Sequence, residues 1–449
     1  MPVTLFVLAV LLQGSDYAVV ASEATLKDWA PVVEALKKKH GATLITYRDA
    51  VADARKGLAA AFPKYACFVE PLPNRAFVVA VHRLMRSLDD DPYTDAVWGI
   101  VTGYDAAAAL RVAETKDPLV VRRGAAGCGL PLEVVVEGAW WSEGKKNEMW
   151  EKARGGAIEK KRCDDDTTSA IVAELNAGKT DLFMTSGHAT ERDWQIGYSY
   201  PNGQFRCADG KLFGLDLARR RHPIDSSNPK VYLALGNCLM GHVPDRDAMA
   251  LAWMNSGGVR QMVGYSVSTW FGYGGWGTGD YFFRLGGRYT LAESFMLNNV
   301  ALVHQLETRF PKTARAAIDE YGIETDPDLP NKIARTLGVR ERDELGLLWD
   351  RDTVAFYGDP AWAARIEKVA DAGYEQKLEE KEGAWAFTVT SNVDGTWLRP
   401  AIAFLPARVS DARLTSGSAL VLDNLVLMPP PEKAAKGQSF VATFTARRR

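Results

Sequence analysis

From Tyr17 onward the chain switches repeatedly between two hydrophobic periods. YAVVAS is a short, continuous apolar run, the pattern of a strand buried on both faces. TLKDWAPVVEALKKKHG instead spaces its apolar residues at helical intervals and ends at Gly41, with lysines in the last turn where they suit the helix dipole. ATLITY predicts the next strand, the stretch through Ala61 a helix, YACFVE a strand, Arg75 to Leu88 a helix, TDAVWGIVTG a strand and DAAAALRVAE a helix. Strands alternating with helices of about 10 to 15 residues predict βαβ units on a mainly parallel sheet. The first such unit closes near the loop RRGAAGCG at 122–129.

A second α/β unit opens with the strand LEVVVEGAWW. It passes the acidic turn Asp164-Asp165-Asp166, capped by Thr167 and Thr168, and then the helix SAIVAELNAG. Strands DLFMTS and KVYLALGN, helix DAMALAWMNSGG and strand RQMVGYS follow, helices fill most of 290–340, and TVAFYGDPAW (353–362) is an apolar strand closing on a Gly-Asp-Pro turn. After about residue 375, AWAFTVTSN, RPAIAFLPAR, ALVLDNLVLMPP and SFVATFTARRR are short β runs between turn residues, which fits a small β-sandwich. The predicted fold is therefore α/β, with tandem α/β subdomains over 16–125 and 126–372, each on a mainly parallel sheet, and a β-sandwich over 373–449.

Composition narrows the function without choosing it. At 449 residues, with 47% hydrophobic and 24% charged, the chain is ordinarily globular and long enough for several units. A net charge of −2, from 54 basic and 56 acidic residues, gives no electrostatic footprint for nucleic acid and no polybasic membrane patch. The run Val3 to Leu12 is too short to span a bilayer, which takes about 20 residues. Its length suits the core of an export signal over 1–15, with the small residues Gly14 and Ser15 after it, although no Lys or Arg precedes it. This predicts a secreted or periplasmic protein; the bland alternative is a buried first element. No later segment is long and apolar enough to span. Five cysteines (67, 128, 163, 207, 238) include no CxxC pair, so no zinc ribbon is implied, and an odd thiol is left for chemistry.

Two of the predicted strands deliver reactive side chains. DLFMTSGHATERDW ends its apolar run at Thr185-Ser186-Gly187 and presents His188; KVYLALGNCLMGH ends at Gly236-Asn237 and presents Cys238. In open α/β sheets ligands sit outside the carboxyl ends of strands. A free thiol has a pKa of about 8.5, so a neighbouring imidazole is needed to favour the thiolate and then protonate a leaving amine. Glu191 is placed to orient the imidazole, as a third group often does. The bland reading is a pair of unrelated residues, with Glu191 a solvated loop acid.

Taken together, these segments resemble the cysteine-peptidase clan of caspases, legumains and gingipains (clan CD), most closely the gingipain-like family. Gly187-His188, Glu191 and Trp194 match the family's first motif, and Cys238 with Gly241 its second. DYAVVASEATLKDWAPVVEALKKKHG is similar to its opening strand and helix, and FYGDPAW to the Gly-Asp-Pro closing its catalytic domain. The likeness covers about 16–365. It implies a caspase/gingipain-like arrangement of the two subdomains, an immunoglobulin-like C-terminal sandwich and a protein or peptide substrate. Two positions depart from the pattern: Ala189 stands where the family usually has Gly, and Asn237 where it has Ala or Gly.

The resemblance implies a cysteine endopeptidase with Cys238 as nucleophile and His188 as general base and acid. N–H groups near Gly187, Ala189 and Cys238 would form the oxyanion hole, while Trp194, Ser266, Ser268, Trp270 and Trp276 contact substrate. No cofactor is required for catalysis; likeness to gingipains allows structural calcium, with no ligands assigned, and oligomeric state is left open. The alternatives are a non-catalytic relative acting as a binding or assembly module, and a transpeptidase or amidase using the same thiol. FGYGGWGTGD also contains GxGxxG spacing, but it lies late in the chain among aromatics, so a flexible wall beside Cys238 is the better reading than a dinucleotide loop. Cys238 and His242 at i, i+4 could join His188 around zinc, although no fourth ligand is evident. Trp29, Trp140 and Trp141 read as packing residues, Asp280 as a helix N-cap, and His40, His82, His222 and His304 have no motif context.

Overall fold

The computed structural model describes residues 16–317 and 328–449; the predicted export segment lies outside them. Twelve strands form one sheet, in the order Thr43–Tyr47, Tyr17–Ser22, Tyr65–Val69, Val97–Val101, Val354–Gly358, Val259–Tyr265, Lys230–Ala234, Leu182–Thr185, Arg123–Ala126, Glu137–Trp141, Glu148–Lys152 and Ile158–Arg162. The first four pair in parallel, as do the five from Val259–Tyr265 to Glu137–Trp141. Val354–Gly358 runs antiparallel to Val259–Tyr265, and the last two strands extend the far edge as an antiparallel pair.

The apolar runs form strands here because both faces are covered. In Tyr17–Ser22, Ala18 and Val20 join the main core, while Tyr17, Val19 and Ala21 pack with Val32, Val33 and Leu36 of the Ala30–His40 helix. That helix and Glu23–Asp28 replace the single helix expected over this stretch, with the break at Trp29 just before Pro31. Trp29 and Trp141 are buried in packing roles, and Trp140 stacks on Trp150 with ring centroids 4.0 Å apart.

The two expected subdomain sheets are one continuous sheet. They join where Tyr357 bridges to Ile100. The same Tyr357 hydroxyl donates to the carbonyl of Gly241, after Lys230–Ala234 (2.6 Å), and lies 3.4 Å from that of Pro73, after Tyr65–Val69. The loops that follow Tyr65–Val69 and Lys230–Ala234 thus meet at Tyr357, although those two strands run in opposite directions. The Gly-Asp-Pro turn has a structural task. Buried Asp359 accepts from the Tyr17 hydroxyl (2.8 Å), Lys39 (2.8 Å) and His40 (2.7 Å). Burial alone would raise its carboxyl, but His40 and Lys39 outweigh burial and hold it at about 2.

Three other expectations change. RRGAAGCG is not a closing loop: Arg123–Ala126 is an inner strand, packed so tightly that a Cβ on neighbouring Gly138 would lie 2.3 Å from the Gly124 carbonyl. Residues 193–224 add a separate antiparallel sheet of Asp193–Gln195, Gln204–Ala208, Lys211–Leu215 and Arg221–Ile224. FGYGGWGTGD is largely a helix, Tyr273–Phe283, rather than a flexible wall. Asp280 sits within that helix and pairs with Arg284 and Arg399 instead of capping an N-terminus.

From Tyr374 the chain is strand and turn. Tyr374–Lys381, Ala384–Ser391, Ser439–Arg448 and Val409–Ser416 form a four-stranded antiparallel sheet, and Ala401–Phe404, Leu425–Met428 and Leu420–Val421 a three-stranded one. Arg408 anchors this part to the α/β body through the carbonyls of Asp95 and Pro63, and the Tyr281 hydroxyl donates to the Pro400 carbonyl.

Candidate active site

Leu182–Thr185 and Lys230–Ala234 are adjacent parallel strands, buried throughout, with Thr185 opposite Ala234. His188 comes three residues beyond Thr185 and Cys238 four beyond Ala234, so both leave the same rim of strands spaced about 4.8 Å apart. His188 is exposed and Cys238 half-buried, so neither is sealed in the core.

The turns that present them are tightly specified. Gly187 has φ +81°, a left-handed conformation that favours glycine. Leu239, directly after Cys238, also has positive φ (+58°), which costs a branched residue on the order of 1–3 kcal/mol. The Leu239 N–H donates to the Val267 carbonyl (3.0 Å) and the Gly241 N–H to that of Tyr265 (2.8 Å), pinning the cysteine turn to the segment leaving Val259–Tyr265. On that segment, the Thr269 N–H donates to Cys238 Sγ at 3.2 Å, aiming a main-chain dipole at the sulfur.

Asn237 is fully buried between the turns. Its Oδ1 accepts from Thr185 Oγ1 at 2.5 Å and its Nδ2 donates to the Gly187 carbonyl at 3.0 Å. Its own carbonyl accepts from Thr269 Oγ1 at 2.8 Å.

Over His188 lies Tyr198, with ring centroids 4.9 Å apart and planes 22° from parallel. The main-chain N–H groups of Tyr198 and Ser199 donate to the Glu143 carbonyl. Glu143 follows the strand Glu137–Trp141, and its Oε2 is buried without a hydrogen-bond partner, 3.3 Å from where a Cβ on Gly187 would lie. Burial pushes its carboxyl up to about 6. Its place beside the histidine turn is not visible in sequence, where an acid just past a strand is commonplace.

Several expected site residues sit elsewhere or act differently. Among the described residues no hydrogen bond joins Glu191 to His188. Glu191 lies 3.8 Å from Arg192 and influences His242, while its carbonyl accepts from the Met249 N–H. Trp194 is 1% exposed; its indole donates to the Ser186 carbonyl at 2.8 Å and its ring packs on Phe183 and Phe205, so it braces the histidine turn from inside instead of meeting a substrate. Ser266 is likewise interior, with its hydroxyl on the Thr353 carbonyl. Ser268 is half-buried, its carbonyl taken by Trp349 Nε1. Trp270 (43% exposed) and Trp276 (40%) are open to solvent, and Trp276 Nε1 lies 3.3 Å from where Gly236 would carry a Cβ. Ala189 is absent from the positive-φ residues, so its Cβ brings no backbone strain.

The rival site readings find no support in the geometry. The glycines of Tyr273–Phe283 serve packing: a Cβ on Gly275 would fall 2.2 Å from the Leu235 carbonyl and one on Gly277 2.0 Å from Asn298 Oδ1. Among the described residues, the set of three potential metal-ligand side chains that converge is Asp89, Asp95 and Asp423, within 4.8 Å of one another; Cys238, His188 and His242 form no such set. Arg408 already pairs with Asp423 in that acidic group, which includes no residue of the Cys238 and His188 turns. All five cysteines are free.

One cleft borders the histidine turn, and another lies on the far side of Trp270. The first, of about 370 Å³, is lined by His188, Thr190, Asp193, Asp216 and Arg219. The second, of about 410 Å³, begins at Trp270 and Phe271 and includes Arg340 and Leu345. No helix of the described residues is long and apolar enough to cross a membrane.

No protein-family model matches the chain, and no curated protein matches it. A solved structure described as "Structure of Protease" aligns over 96% of this chain and 97% of its own, with a TM-score of 0.43 and 9% identity. At that similarity it carries no argument.

Proposed function

We propose that this chain is a cysteine endopeptidase acting through a thioester intermediate, with Cys238 as nucleophile and His188 as general base and acid. The observation that carries the reading is the delivery of both side chains to one rim by adjacent parallel strands whose ends are tied together. A structural cation or cofactor is no part of the step.

His188 takes the thiol proton and the sulfur attacks the carbonyl carbon of the scissile bond. The carbonyl electron pair moves to oxygen, where N–H groups near Gly187, Ala189 and Cys238 are the candidate donors; one such donor in a protease is worth about 2.7–4 kcal/mol. Collapse breaks the C–N bond, and the imidazolium gives its proton to the departing amine. Water, deprotonated by His188, then attacks the thioester and releases the acid and the thiol. Glu143, rather than Glu191, is the carboxylate beside the histidine turn, its Oε2 3.3 Å from where a Cβ on Gly187 would lie. Exposed Trp270 and Trp276 flank the cysteine turn as candidate substrate walls.

The test is to trap the intermediate. Wild-type protein quenched in acid during turnover of a peptide ester library should carry the acyl mass on Cys238. Turnover with that mass on a different residue, or with no covalent mass at any quench time, would overturn the reading.

A further inference from the structure

Cys238 and His188 are presented by separate turns that begin where the strand ladder ends, at Thr185 opposite Ala234 and the Leu235 N–H on the Thr185 carbonyl. The side chain of Asn237 is what crosses between them. We infer that Asn237 is a positioning residue that holds the imidazole of His188 in register with the thiol of Cys238. The inference rests on the cysteine-peptidase reading and adds a residue to it.

The amide orientation is determined by its neighbours. Nδ2 faces the Gly187 carbonyl, a pure acceptor, so the reversed amide would set two acceptors against each other. That leaves Oδ1 to accept the one proton of Thr185 Oγ1. The Tyr232 hydroxyl, 2.8 Å from Thr185 Oγ1, must then be the donor in that contact. The result is a one-way chain, Tyr232 to Thr185 to Asn237 to Gly187, running from the sheet interior to the residue before His188. Tyr232, Thr185 and Asn237 have no accessible surface to speak of, so water cannot substitute for a missing member. From the same residue, the Asn237 carbonyl holds Thr269 Oγ1, and the Thr269 N–H reaches the sulfur. One residue therefore ties three segments: the histidine turn, the cysteine turn and the segment 266–272. An alanine or glycine at 237 supplies none of the side-chain contacts, which gives a physical reason for an amide at this place.

The test compares alkylation of Cys238 by iodoacetamide across pH 5 to 9 in wild type, His188→Ala, Asn237→Ala and Asn237→Asp. Modification is read by peptide mass because Cys163 and Cys207 are also partly accessible. Melting curves confirm that each variant is folded. Wild type should react at pH 6 at least tenfold faster than His188→Ala, and Asn237→Ala should fall to within about twofold of His188→Ala. In Asn237→Asp, the rate relative to wild type should rise as pH falls, because a protonated carboxyl donates to Gly187 as the amide does and a carboxylate repels it. That trend also decides the matter if Asn237→Ala does not fold. A His188-dependent wild-type profile that survives unchanged in Asn237→Ala, or a pH-independent ratio for Asn237→Asp, overturns the role of Asn237 alone. A wild-type profile identical to that of His188→Ala overturns the underlying pairing of Cys238 with His188, and the inference with it.

Discussion

The ring of Tyr198 covers the imidazole of His188, while the Tyr198 main-chain N–H holds the carbonyl of Glu143. A histidine on an exposed turn has two soft side-chain torsions, and a stacked ring removes most of that freedom. Because Tyr198 is itself 57% exposed, Tyr198→Ala should leave the melting temperature nearly unchanged. Loss of a stacked pair is worth about 0.5–1.5 kcal/mol, so kcat should fall roughly 2- to 10-fold with little change in KM. Steady-state kinetics beside a melting curve check this; an unchanged kcat would show that the stacking does not orient the base.

Glu143 and Glu191 separate cleanly by substitution. With its carboxyl raised to about 6 by burial, Glu143 becomes charged only as pH rises through that value. Activity should therefore climb between about pH 5 and 7 in wild type, and Glu143→Gln should lower kcat about tenfold and lose that limb. Glu191→Gln should stay within twofold of wild type. The pH–rate profiles of the two variants decide between them.

The parts of this site that a sequence reveals are the ones carried by short-range pattern. DLFMT and KVYLA are continuous apolar runs ending in small or turn residues, so their strands, and the residues at their mouths, are readable at once. Asn237 stands out in the same way, but its contact with Gly187 spans 50 positions and depends on strand order. Glu143 is hidden for the same reason. The antiparallel sheet over 193–224 escapes notice because its strands are three to five residues long and mix charge with apolar residues. The fusion of two α/β units into one sheet depends on the meeting of Tyr357 with Ile100, which no local periodicity signals. The segment 273–283 misleads because glycine disfavours helix, and here tertiary contact overrides propensity.

That override is testable. In an exposed helix, Gly→Ala would stabilise by up to about 1 kcal/mol. Gly275 instead approaches the Leu235 carbonyl so closely that Gly275→Ala must push the helix off the strand that leads to Cys238. Overpacking of this kind costs about 1–3 kcal/mol, so urea unfolding should shift to lower midpoint. A stabilised Gly275→Ala would contradict the packing account.

His82 supplies a pH signature of the fold. Its Nε2 is 2.8 Å from the Val354 carbonyl, its Nδ1 is buried without a partner, and burial lowers its pKa to about 4. The fold thus favours the neutral ring, and this contribution is complete above about 6.5 and lost as pH falls from there to about 4. The loss amounts to about 3 kcal/mol. His82→Gln keeps a donor for Val354 without titrating. The pH dependence of unfolding free energy between pH 7 and 4 should therefore differ between wild type and variant by about that amount, with wild type losing more. Parallel curves would show that His82 is not held neutral.

The most direct measurement is peptide cleavage by wild type, Cys238→Ala and His188→Ala in one assay, with products identified by mass and EDTA present throughout. Wild type should cleave, and each substitution should remove at least 1,000-fold of the rate, roughly the scale seen when a nucleophile or its base is lost. Cleavage that survives Cys238→Ala, with either residue dispensable while the protein stays folded, would contradict the account.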